Sequence, residues 1–281
     1  MADSVLYVVA TPIGNLKDLT ERAIDVLTGV DFIAAEDTRV TSKILNHLGL
    51  KKPLVSYYQH NMRERGNIII GRILAGESCA ICTDAGTPAI SDPGEVLVRQ
   101  AMDAGIRVVP VPGCCAAVTA LSACGLATGR FCFEGFLPVS KQSRREHLAE
   151  IVDEKRTMVF YEAPHKLRNT LKDLLSTLGD RPVTICRELT KIHEEITRTT
   201  LQAAVDEYSE KDPRGEYVLV VQGREEPDKK DGSLTEDQAL EEIASLVSDG
   251  TQLSEACRMV APKTAMNRSE LYKLYINSIE E

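Results

Sequence analysis

Short β-branched runs alternate with helix-length amphipathic stretches from the start of the chain, and this alternation constrains the fold more than any other feature. Val5 to Ala10, Phe32 to Ala35, Leu54 to Tyr57, Cys79 to Thr83 and Arg107 to Val111 read as strands. Helices are predicted between them, at Thr20 to Leu27, Thr38 to Leu48, about Arg63 to Leu74 and about Glu95 to Ala104. Gly49 follows the second helix as an expected left-handed cap. Strands separated by helices need crossover connections, so neighbouring strands run parallel and the helices cover the sheet. The prediction is an α/β domain with a largely parallel sheet over residues 1–112.

A Pro112-Gly113 break leads into a small-residue helix, Cys114 to Cys124, after which the alternation changes character. Strands are predicted at Phe131 to Phe136, Thr157 to Tyr161, Val183 to Arg187, Ile196 to Thr200 and Tyr217 to Val221. Helices are expected at about Ser143 to Val152, His165 to Leu178 and Gln202 to Tyr208. This is a second α/β domain with a more mixed sheet, 113–227. The charged run Arg224 to Gly232 lacks apolar anchors and reads as a linker. Residues 228–281 then hold this linker and three short helices, at about Thr235 to Val247, Ser254 to Val260 and Arg268 to Ile276. From Thr251 to Ile279 this tail has Arg258, Lys263, Arg268 and Lys273 against Glu255 and Glu270. It is either a helix-turn-helix-like module or a plain helical bundle.

The 281 residues are 43% hydrophobic, enough for a sizeable core, and the formal net charge of -9 leaves no overall basic field to draw in nucleic acid. RNA binding must therefore use local patches, such as Pro138 to Lys172 with eight Lys or Arg against five Asp or Glu. The eight Cys lie mostly in apolar stretches and form no disulfide framework, so a reducing cytoplasm is expected. The N-terminus has no basic leader, and no long uninterrupted apolar run occurs, which argues against secretion and membrane spanning. No Gly-x-Gly, Walker A or Gly-x-Ser-x-Gly pattern is present. Cys79-Ala80-Ile81-Cys82 sits in an apolar strand and reads as core filler, and the five His have no metal-ligand spacing.

Chemistry is expected in two loops at the carboxyl ends of strands, where open α/β sheets bind ligands. They are Ala10-Thr11-Pro12-Ile13-Gly14-Asn15-Leu16 and Asp84 to Gly94, the latter with two Pro and two Gly in eleven residues. Pro fixes the backbone and Gly permits close approach, so such loops present amides and carbonyls at little ordering cost. The same Asp84 and Asp92 would also serve a stiff crossover as helix or turn caps. A third such point is Pro112-Gly113-Cys114-Cys115-Ala116-Ala117, whose small side chains would let a flat ring lie on a helix start.

In order and spacing these loops resemble the tetrapyrrole methylase superfamily, and more closely the small-subunit ribosomal RNA methyltransferase I family. Further strings carry the likeness: Ala35-Glu36-Asp37-Thr38-Arg39, Gly135-Phe136-Leu137-Pro138, Phe160-Tyr161-Glu162-Ala163-Pro164-His165 and Arg187-Glu188-Leu189-Thr190-Lys191. The resemblance implies two α/β domains of tetrapyrrole-methylase type with an S-adenosyl-L-methionine (SAM) cleft between them and a helical C-terminal extension. It implies SAM contacts at Pro12, Asp84, Gly86, Thr87, Cys115, Ala116, Tyr161, Glu162, Leu189 and Glu216. It also implies a homodimer that methylates the 2′-hydroxyl of a cytidine in 16S rRNA of the 30S subunit.

Methyl transfer to an alcohol is an in-line displacement that needs no metal, but the hydroxyl must lose its proton to a positioned base. Asp37 or Glu188 is the expected base, with Arg39 and Lys191 holding phosphates. His60 is a further group within reach of the acceptor. Alternatively, Glu36, Asp37 and Arg39 cap the following helix and pair with one another. Two other functions fit the same loops: C-methylation of a corrin or porphyrin precursor, and a noncatalytic ribosome-associated module.

Overall fold

The computed structural model describes residues 4–225, 234–264 and 266–280. The chain divides into two compact units, 1–224 and 225–281.

The larger unit opens with β1 (Val5–Val9), α1 (Glu21–Gly29), β2 (Phe32–Ala35), α2 (Thr38–His47), β3 (Leu54–Ser56), α3 (Met62–Leu74), β4 (Cys79–Cys82), α4 (Gly94–Asp103) and β5 (Arg107–Val111). The strands form one sheet in the order β3-β2-β4-β1-β5, and every pairing is parallel. β2 and β4 are buried at every position, as a parallel sheet covered on both faces requires. Alternate residues feed two layers. Phe32, Ala34, Cys79 and Ile81 pack with Ile69, Ile73 and Leu97 of α3 and α4; Ile33, Ala80 and Cys82 pack with Leu27 and Leu45 of α1 and α2. Cys79 and Cys82 thus face opposite layers as filler, and burial pushes the Cys82 thiol up to about 12.

The same unit continues with α5 (Ala116–Ala123), β6 (Phe131–Gly135), α6 (Lys141–Glu150), β7 (Thr157–Glu162), α7 (Pro164–Leu178), β8 (Pro182–Arg187), β9 (Glu195–Thr200), α8 (Leu201–Glu210) and β10 (Tyr217–Val221). This second sheet runs β6-β7-β10-β8-β9 and is mixed: β6 and β7 are parallel, and the other three pairings are antiparallel. One face packs on α6, α7 and α8 through Leu148, Leu167, Leu171 and Leu201. The other face packs on α5 through Ala117, Ala120 and Leu121. The predicted helix from Cys114 begins only at Ala116, because Cys115 is extended (φ -143°, ψ 112°) and serves as its cap.

The smaller unit holds α9 (Glu236–Ser248), α10 (Leu253–Val260) and α11 (Arg268–Glu280). They surround a core of Ala239, Ile243, Ala256, Cys257, Val260 and Leu271. Most of the predicted linker, from 226 to 232, lies outside the described residues. Among the described residues no helix is long and apolar enough to cross a membrane.

Candidate active site

A cleft of about 530 Å³ lies within the larger unit and is walled by residues of both sheets. This volume is typical of small-molecule sites. One wall comes from the loops that follow β1 and β4. They are joined by a reciprocal pair of backbone hydrogen bonds, Thr11 N–H to Gly86 O (2.8 Å) and Gly86 N–H to Thr11 O (3.0 Å). The buried Thr11 hydroxyl adds a bond to Thr83 O at 3.1 Å. Gly86 has φ +84°, a left-handed conformation that favours glycine. Further along the loop Ala89 and Ser91 hold left-handed conformations without being glycine (φ 68° and 67°). The Asp92 carboxylate fixes this shape by accepting the amides of Ala89 (3.0 Å) and Gly94 (2.6 Å). Backbone in such sparsely populated regions persists only where its surroundings determine it, and it concentrates at ligand sites.

Carboxylates gather along this wall. Glu36, at the end of β2, accepts from the Thr83 hydroxyl (2.5 Å) and the Asp84 amide (3.3 Å). Asp84 in turn accepts the Asp37 amide at 3.1 Å. Burial, reinforced by the Glu36 charge, raises the Asp84 carboxyl above its ordinary value, and burial does the same to Asp92.

The opposite wall belongs to the second sheet. Thr87 ties the two together by donating its hydroxyl to Cys114 O at 2.9 Å. Cys115 and Ala116 open α5, and the Ala117 amide donates to the Tyr161 phenol oxygen at 3.0 Å. Phe133 and Phe136 meet the Tyr161 ring edge-on, with centroids 5.0 and 5.6 Å away. Burial pushes the Tyr161 phenol up to about 12. The Glu162 carboxylate is buried and accepts from the Thr170 hydroxyl and the Ala163 amide. Leu189, Glu216 and Val218 complete the wall.

Nine of the ten residues implied as SAM contacts line this cleft: Asp84, Gly86, Thr87, Cys115, Ala116, Tyr161, Glu162, Leu189 and Glu216. Pro12 does not, and its neighbour Ile13 takes that place. The five residues expected at the acceptor side stand elsewhere. Asp37 caps α2 by accepting the Arg39 amide and forms a two-pronged ion pair with the Arg39 guanidinium, which lowers its carboxyl to about 2. The capping and pairing alternative therefore describes Asp37 and Arg39, and Arg39 remains 86% exposed. Glu188 sits at φ 52° and accepts from Lys191 Nζ (2.7 Å) and the Glu216 amide (2.9 Å). Burial opposes its charge, but Lys191 and that amide outweigh it and hold the carboxyl below its ordinary value. Lys191 also donates to Glu216 at 2.9 Å, so its charge is shared between two carboxylates. His60 is exposed, edge-on to Tyr58 at 6.1 Å, in a turn outside the cleft lining.

The cleft also contains residues without an assigned role in the sequence reading, including Phe136 and His165, and it contains Asp92, read there as a helix or turn cap. For His165 the available signal was Pro164, since a Pro at the first helical position fixes where a strand-to-helix turn ends.

The family model described as Tetrapyrrole (Corrin/Porphyrin) Methylases matches residues 5–205. The chain is 45% identical to a ribosomal RNA small subunit methyltransferase I of a Synechocystis species over 271 residues, covering 96% of each chain. It is 46% identical to the protein of that name from Halalkalibacterium halodurans, covering 96% of this chain and 94% of that one. Among solved structures it resembles a uroporphyrin-III-C-methyltransferase from Thermus thermophilus, with a TM-score of 0.57 at 21% identity over 77% of this chain and 94% of that one. A cobalt precorrin-4 methyltransferase gives a TM-score of 0.56 at 18% identity with the same coverage. These two likenesses concern the fold, whereas the near-complete sequence matches reach further: the chain belongs to the ribosomal RNA small subunit methyltransferase I family, within the tetrapyrrole methylases.

Proposed function

We propose that this protein transfers a methyl group from SAM to the 2′-hydroxyl of a cytidine in 16S rRNA of the small ribosomal subunit. The observation that carries the reading is the charge of the cleft. Glu36, Asp84, Asp92, Glu162 and Glu216 line it, and among the described residues no Lys or Arg does. A cavity of that sign favours a cationic guest such as a sulfonium with an α-amino group. It disfavours a tetrapyrrole bearing many carboxylates, which separates this reading from C-methylation of a porphyrin precursor. The apolar surfaces of Ile13, Ile90, Leu189 and Val218 suit the flat adenine of the same donor.

When bound, SAM supplies the methyl group, and the residues of the chain hold and align it. Gly86, Thr87, Cys115 and Ala116 would hold the donor through backbone groups, and Asp84 and Glu216 would offset its positive charges. Fixed alignment supplies much of the rate in such a displacement. The loop left-handed at Ala89 and Ser91, pinned by Asp92, provides that fixity. Arg39, exposed at the carboxyl end of the first sheet, meets phosphate beside the target nucleotide. A homodimer in the cytoplasm, as the family likeness implies, completes the proposal.

The test joins two measurements. Calorimetry on the purified protein should record uptake of SAM, and methylation mapping should find one 2′-O-methylcytidine in 16S rRNA that is missing from cells lacking the gene. Methyl transfer to uroporphyrinogen and not to 30S particles would overturn the assignment.

A further inference from the structure

The proton of the ribose hydroxyl needs an acceptor, and the carboxylates of the cleft are already engaged. Glu36, Asp84, Asp92, Glu162 and Glu216 each accept at least one hydrogen bond from the chain itself. Those bonds tie each carboxylate to donors of the chain itself and leave less of it open to a substrate hydroxyl. Of the two phenols, Tyr161 accepts the Ala117 amide and Tyr217 the Arg214 amide. The thiol of Cys186 is buried, and Cys115 lies against the Tyr161 hydroxyl. His165 is different. It lines the cleft, is exposed, and its side chain makes no hydrogen bond or ion pair with any described residue.

Its backbone is nonetheless fixed. Glu162 accepts the Ala163 amide at 2.8 Å, Pro164 sets the first position of α7, and Ala163 O accepts the amides of Lys166 (3.0 Å) and Leu167 (3.2 Å). His165 thus rises from a rigid turn with both ring nitrogens unpaired, at a point where water can reach it. The two carboxylates expected as bases, Asp37 and Glu188, are outside the cleft lining and committed to Arg39 and Lys191.

We infer that His165 is the general base of the methyl transfer, a role that rests on the function proposed above. A ring nitrogen takes the hydroxyl proton as the bond from ribose oxygen to the methyl carbon forms. The methyl–sulfur bond breaks with its electron pair left on sulfur, so the positive charge of the sulfonium ends on the imidazolium. Exposure then lets His165 return the proton to water before the next turnover.

The experiment compares wild type, His165→Gln and His165→Ala on 30S particles. With Gln, kcat should fall by about 10²- to 10⁴-fold, while KM for the particle and the calorimetric SAM affinity stay within about twofold. Imidazole in the buffer should restore part of the rate of His165→Ala, which a merely structural role would not allow. A kcat of His165→Gln within about threefold of wild type would overturn the assignment, as would a loss of SAM affinity that accounts for the loss of rate. If wild type itself neither takes up SAM nor methylates 30S particles, the underlying function has failed, and the base assignment falls with it. SAM uptake and turnover by wild type distinguish the two failures.

Discussion

Gly14 has no side chain because the far wall of the cleft occupies the space one would need. A Cβ there would stand 2.4 Å from Lys191 Cγ, 2.9 Å from Thr190 Oγ1 and 3.1 Å from Leu189 O. Lys191 has little room to yield, since two carboxylates hold its ammonium. Gly14→Ala should therefore wedge the β1 loop away from the Leu189–Lys191 loop. Overpacking of this kind costs about 1–3 kcal/mol, and because both loops border the cleft, SAM affinity should drop by about tenfold; calorimetry and a thermal melt check the two effects. Unchanged affinity would show that the donor does not sense this contact. At this scale the sequence discloses residue types better than residue commitments. Asp37 stands one residue before a predicted helix with Arg39 two places on, a pattern equally suited to a base with a phosphate partner and to a cap with its ion pair; only coordinates decide. Glu188 and Thr190 adopt left-handed backbone (φ 52° and 66°) with no glycine to announce it. The free imidazole of His165 was equally hidden, because the absence of a partner leaves no trace in the chain.

The elements themselves were legible, in register to within one or two residues at most ends. Their periodicity and their caps explain why. Thr20 caps α1 by accepting the Ala23 amide at 3.2 Å, and Thr235 and Gln238 form a reciprocal capping box at the start of α9. Thr235→Ala should cost about 1 kcal/mol. In a unit as small as 225–281 that loss is a large share of the stability, so α9 should become more open to limited proteolysis while the larger unit stays resistant. Equal resistance of both proteins would mean that the box contributes nothing measurable. Strand order was not legible. β4 lies between β2 and β1, and β10 between β7 and β8. Such insertions depend on which apolar faces meet across crossovers, information that no short window contains. The mixed character of the second sheet was foreseen, but not which of its pairings run parallel, because an antiparallel partner and a parallel one can present the same alternation.

For the molecule as a whole, the charge of -9 sets the problem of approaching a polyanion. The basic run predicted over Pro138 to Lys172 is partly neutralised in the fold, since Arg144 pairs with Asp173, Arg156 with Glu154 and Arg168 with Asp212. Among the described residues Lys141, Arg145, Lys166 and Lys172 have no ion pair and remain for phosphate. Four such contacts to single-stranded RNA would lower affinity by about 50-fold between about 50 and 200 mM salt. A filter-binding series with 30S particles measures this; a flat response would place recognition on ribosomal proteins. The late insertion of β4 has one more consequence. Within the first sheet β1 pairs only with β4 and β5, so a nascent chain leaving the exit tunnel carries Val5–Val9 without a partner until Cys79–Cys82 has been synthesised. At about 5–20 residues per second this wait lasts several seconds, long enough for a chaperone to shield the apolar segment before the sheet can zip around its central strand.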